Sequence, residues 1–120
     1  MKNGFTFGLY EMLFENCFIH SSRYSNGNLQ LSLFGTDPTL NQTAHFADIT
    51  LNQNKIILND DEIIVDCTYK PNFIEQLKDL RILKEQTGIF PQNNCLYPIY
   101  RIDLSRVTEK QYCMQELVAA

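Results

Sequence analysis

Between Asn94 and Leu104 the chain reads NCLYPIYRIDL, and this run limits the fold more than any other. From Tyr97 onward, Tyr100, Ile102 and Leu104 share one face of an extended chain, while Ile99, Arg101 and Asp103 share the other. β-Branched and aromatic residues dominate it, Pro98 marks the point where it begins, and polar Gln92, Asn93 and Asn94 stand in front. The expectation is a late strand that slots between earlier ones and closes the core. No side chain in it is poised for a reaction.

At 120 residues the chain is long enough for one domain, 1–120, with a core that needs no metal or disulfide staple. The formal net charge of −4 works against non-specific binding to phosphate backbones and leaves room for an acidic surface facing a basic partner. The opening MKNGFTFGLYEMLFE is interrupted by Glu11 and Glu15 and offers no small-residue cleavage site, unlike a secretory signal. Nothing approaches the roughly 20 apolar residues of a membrane span. The expectation is a cytoplasmic protein whose four cysteines (Cys17, Cys67, Cys95, Cys113) are reduced and at least half-buried.

In order, FTFGLY (5–10) alternates like a short strand, and an apolar run over 12–24 turns polar at His20. Asn26-Gly27 then predicts a type I′ hairpin, whose return strand sets Leu29, Leu31 and Leu33 on one face. Residues 35–43 read as a loop, and 44–51 alternate again, with Ala47, Ile49 and Leu51 opposing Phe46, Asp48 and Thr50. Ile56–Leu58 is too short to assign. Residues 59–62 form an acidic turn, and 63–69 resume strand chemistry.

From Asn72 the period changes. Phe73, Ile74, Leu77, Leu80 and Leu83 fall on one stripe of a helix of about 15 residues, some 22 Å long. Pro71 suits its first turn, Asn72 with Glu75 resembles a capping box, and Thr87-Gly88 with Pro91 supplies the stop. A short last helix over Thr108–Val118 follows the closing strand. The predicted architecture is α+β: an antiparallel meander of about five strands with one long helix across it and a short C-terminal helix.

Three of these features together resemble a known family. They are the Tyr24-x-Asn26-Gly27 hairpin, the strand ending in Asp66 before the apolar stripe Phe73–Leu83, and the motif CLYPIYRID at Cys95–Asp103. The chain is similar, over roughly residues 12–104, to the family known as domain of unknown function 4313, carried on plasmids, conjugative elements and phages of gut bacteria. The resemblance implies a mobile-element origin and brings no catalytic residues with it.

Residue type and spacing limit the candidate sites. Cys17-x-x-His20 has metal-like spacing, but i and i+3 on a strand face opposite ways, and no Cys-x-x-Cys exists. Nucleophile elbows and phosphate-binding glycine loops are absent from the sequence, and Thr68 occupies the slot a nuclease-like carboxylate would need in DCTYK. No cofactor is expected. Asp60, Asp61, Glu62 and Asp66 are either a solvated turn plus one outward strand residue, or an electronegative knob that imitates phosphates in an Arg/Lys-lined cleft. Tyr97 and Arg101 have the composition of an exposed binding hot spot, with Tyr100 and Ile102 turned inward.

These features predict a non-catalytic protein-binding factor of a mobile element or phage, most concretely an inhibitor of a host defence nuclease of the anti-CRISPR or anti-restriction type. Its expected partner is a protein with a basic cleft. A nucleic-acid-binding accessory protein, using aromatic stacking, is the alternative; a homo-oligomeric module joined through Thr108–Val118 is a third.

Overall fold

A computed structural model describes residues 4–68 and 72–107. Two four-stranded antiparallel sheets enclose one main core. The first contains β1 (Phe5–Leu9), β2 (Met12–Arg23), β3 (Leu29–Asp37) and β4 (Gln42–Asp48), in that spatial order. The second contains β5 (Thr50–Leu51), β6 (Glu62–Val65), β7 (Leu83–Gln92) and β8 (Cys95–Ile102), ordered β5-β6-β8-β7. Among the described residues there is one α-helix, α1 (Phe73–Asp79), between β6 and β7 in the chain.

One bent strand joins the sheets. The Ile49 amide donates to the Leu31 carbonyl of the first sheet at 2.9 Å, and the Ile49 carbonyl accepts from the Asp66 amide at 2.8 Å. β4 therefore leaves one ladder and, as β5, enters the other at a single fully buried residue. Leu29, Leu31 and Leu33 from β3 meet Ile63, Val65, Tyr100 and Ile102 in the interior between the sheets. The expected inward faces of β3 and β8 are the observed ones, and β8 does lie between β6 and β7, as the closing strand should.

The α+β expectation is overturned: the protein is mostly β, with eight strands and one helix of 7 residues among the described residues. The long helix fails at Arg81. That residue takes φ 63°, the Arg81 amide donates to the Lys78 carbonyl at 2.9 Å, and the Ile82 amide donates to the Leu77 carbonyl at 3.0 Å. This pair of bonds is a Schellman C-cap. A glycine normally signals it, so an arginine there hides the stop. Leu83, the last residue of the helical stripe in sequence, reaches the same core together with Ile82 as the first residues of an extended chain. Thr87-Gly88 lies inside β7 rather than ending a helix.

Other local expectations also change. Asn72 has φ 66° and its side chain caps nothing, so the capping box does not form. At the β2–β3 hairpin only Gly27 is left-handed, at φ 89°, and the Gly27 amide donates to Tyr24 O at 2.9 Å. The turn is a three-residue type I turn with a glycine bulge, not type I′. The type I′ geometry occurs instead between Gln92 and Cys95, where Asn93 and Asn94 have φ 52° and 63°. Residues 35–37, expected in a loop, continue β3. The helix expected over 108–118, and Pro71, lie outside the described residues.

Among the described residues, the outer face of the second sheet is covered by an irregular stretch of chain. Ile56 and Leu58, from an irregular stretch after β5, pack with Leu51, Ile99 and Cys67 around buried Ile64, Phe90 and Tyr97. Asparagines of the β2–β3 hairpin hold that stretch: Asn26 Nδ2 donates to Asn54 Oδ1 at 2.7 Å, and Asn28 Nδ2 to Asn52 Oδ1 at 3.1 Å.

Candidate functional site

The acidic turn before β6 and the far end of β8 meet because β6 and β8 pair with Glu62 directly opposite Arg101. Arg101 is the centre of the group. Its Nε lies 3.2 Å from Asp61 Oδ2 and its second nitrogen 3.5 Å from Glu85 Oε2 on β7. The hydrogen bond to Asp61, then the Asp61 and Glu85 charges, raise the guanidinium pKa further. Glu62 is held from both sides, accepting from the Asn59 amide at 2.8 Å and from the Thr87 hydroxyl at 2.8 Å. The Asp60 carbonyl accepts from the Arg23 guanidinium at 3.4 Å.

Thus Asp60, Asp61, Glu62 and Arg101 come together, joined by Glu85, which sequence reasoning missed. Glu85 falls within the stretch expected to be helical; only as part of β7 does it come within reach of Arg101. Two carboxylates, Asp61 and Glu85, contact Arg101, and with Asp60 and Glu62 in the adjoining turn the group holds four acidic side chains. Solvent-screened pairs of this kind add little to stability, so the arrangement matters chiefly as a fixed display of charge.

Asp66 and Tyr97 belong elsewhere. Four residues along β6 from Glu62 is about 13 Å. Asp66 accepts from the Thr68 amide at 3.2 Å and its hydroxyl at 2.7 Å, which forms a local turn. Tyr97, expected to be exposed, is 9% exposed. The correction has a simple cause: the sheet has an apolar cluster on each face, so both phases of the β8 alternation are covered. Burial first, then the neighbouring Cys95, Asp66 and Cys67, push the Tyr97 phenol pKa up.

A second arrangement was not foreseen. On the outer face of the first sheet Phe18 stacks on Phe34 with centroids 5.4 Å apart, and His20 and His45 pack against the same Phe34 ring. Asp48 Oδ1 lies 2.8 Å from His45 Nε2 and accepts from Ser32 Oγ at 2.9 Å. The carboxylate bridges the other two groups, so no Ser–His contact of a nucleophilic triad arises from this order. The alternation Phe18, His20, Ser22 is the available signal in the sequence, where His20 reads instead as metal-like spacing or as part of a polar strand end. Among the described residues no three His, Cys, Asp or Glu side chains converge as a metal site. Cys17 is buried, Cys67 half-buried and Cys95 exposed, so the expectation for the thiols holds for two of the three described.

Fold and site together define a small two-sheet, mostly-β protein that displays a clamped acidic turn at one end and an aromatic strip on one face. No family model, no curated protein and no solved structure matches the chain. Among the described residues no helix is long and apolar enough to cross a membrane.

Proposed function

We propose that this chain is a non-catalytic protein-binding factor that docks its acidic turn, Asp60–Glu62 with Glu85, onto a basic surface of another protein. The observation that carries this is the clamping of the turn: Arg101 holds Asp61 and Glu85, and Thr87 holds Glu62. Carboxylates fixed in advance lose little side-chain entropy on binding, and their field speeds encounter with a positive cleft. The most concrete version is an inhibitor of a host defence nuclease, of the anti-CRISPR or anti-restriction type, acting in the host bacterial cytosol; the resemblance to a mobile-element family supports it. Purified protein should co-elute with such a nuclease and block cleavage at near-stoichiometric ratio. Asp60→Lys combined with Glu85→Lys should slow association at least tenfold at low salt. Unchanged association in the double variant removes the acidic turn as the contact.

The aromatic strip favours a second reading, an accessory protein that stacks single-stranded nucleic acid on Phe18, the half-buried outer ring of the Phe18–Phe34 stack. A gel shift at low salt tests it. Binding there must weaken as salt rises and must fall in Phe18→Ala.

A further inference from the structure

The outer face of the second sheet carries two thiols beside one buried phenol. Cys95 opens β8 two residues before Tyr97, so the strand period turns both side chains to the same face. Tyr97 packs there with Ile64 and Phe90, and Cys67 packs on the same cluster from the chain leaving β6. Continuing the register beyond Ile64–Ile99 sets Cys67 opposite Leu96, one position from Cys95. The Cys67 sulfur lies 4.0 Å from the Leu96 carbonyl oxygen.

In a regular ladder, such diagonal neighbours would face opposite ways. Here β6 ends at Val65, and the Asp66–Thr68 turn takes Cys67 out of the pleat and onto the Tyr97 face. The Cys67 sulfur, beside the Leu96 carbonyl, therefore lies one residue of β8 from Cys95, a step of about 3.3 Å along the strand. The two sulfurs are also among the groups whose charge acts on the Tyr97 hydroxyl.

We propose that Cys67 and Cys95 form a peroxide-responsive pair that closes to an intramolecular disulfide. Exposed Cys95 is the thiol that peroxide reaches first. Its thiolate attacks one peroxide oxygen, the O–O bond breaks, and hydroxide leaves to become water; Cys95 is now a sulfenic acid. The Cys67 thiolate then attacks the Cys95 sulfur, the S–O bond breaks, and a second hydroxide leaves as water. Two thiols are oxidised by two electrons in all, and one peroxide is reduced to two waters. The link ties the chain leaving β6 to the chain starting β8, enclosing α1 and β7 in one covalent loop. Cys17 takes no part: it is fully buried, and burial pushes its pKa up to about 12.

The test uses the full chain carrying Cys113→Ser, treated with hydrogen peroxide. The intact mass should fall by about 2 Da, return with dithiothreitol, and map to a single Cys67–Cys95 peptide pair. Cys67→Ser should instead stop at oxygen adducts of Cys95, with a gain of about 16 or 32 Da. Oxygen adducts or Cys95–Cys95 dimers in the Cys67-containing chain, with no Cys67–Cys95 peptide, overturn the proposal. The peptide map decides this even if a variant folds poorly.

Discussion

The Gln76 side chain lies against Gly8 as a neighbouring strand would: the Gly8 amide donates to Gln76 Oε1 at 2.8 Å, and Gln76 Nε2 donates to the Gly8 carbonyl at 2.8 Å. Gly8 is in β1, the edge of the first sheet, and Gln76 is in α1. A helix side chain thus satisfies backbone groups that an edge strand leaves open. The approach does not depend on glycine, because a Cβ at position 8 would sit 3.7 Å from Gln76 Oε1, an ordinary contact distance.

Gln76→Leu removes both bonds and leaves a part-buried donor and acceptor in apolar surroundings. Urea unfolding should show a loss of about 2 kcal/mol, and Gln76→Glu, which keeps the acceptor alone, should lose less at neutral pH. Equal stability of Gln76→Leu and the parent would show that the edge needs no such cover.

Gly35 lies on β3 beneath Phe14 of β2 and Phe46 of β4, whose rings stack 4.0 Å apart. A Cβ at Gly35 would meet Cys17 Sγ at 2.6 Å and Phe46 Cε1 at 3.0 Å. Gly35→Ala should therefore cost about 2–3 kcal/mol. Adding Cys17→Ala should cost less than the sum of the two single changes, because the nearest obstacle is gone.

Arg81 occupies the left-handed position of the α1 C-cap at φ 63°. Arg81→Gly should stabilise the protein by about 0.5–1 kcal/mol, and Arg81→Val should destabilise it, both read from the denaturation midpoint. If the fifteen-residue helix were the true structure, glycine there would weaken it instead.

Cys17 gives the protein a defined alkaline sensitivity. Its thiol ionises near 9.0 when unfolded and at about 12 when folded. Between those values the folded chain keeps a proton that the unfolded chain has lost. Stability is then unaffected below the unfolded value and falls above it, by about 1.4 kcal/mol per pH unit. Burial also raises Tyr24, which joins the loss at higher pH. Cys17→Ala, though less stable at neutral pH, should show a flatter decline between pH 9 and 10.

Much of the strand content was legible. Leu29, Leu31 and Leu33 alternate without exception, and such a pattern has one way to bury its apolar half. The acidic group around Arg101 was legible in part, because Asp60, Asp61 and Glu62 adjoin in sequence. Arg101 was visible as a candidate but not as their partner, and Glu85 was not visible at all. A cross-strand contact depends on register, and the register of β7 depends on where α1 stops.

The stripe Phe73, Ile74, Leu77, Leu80, Leu83 shows the limit most clearly. Local sequence dictates that these residues seek one interior, and they do, as it dictates the alternation of β3 and β8. Whether Leu83 gets there on a fourth helical turn or on a strand is beyond local pattern, since both bury the same methyl groups. That choice came from long-range pairing: β8 offers β7 backbone partners from Leu83 to Gln92, interrupted by bulges on either side of Gln86, whereas two further turns of an isolated helix are marginal in water.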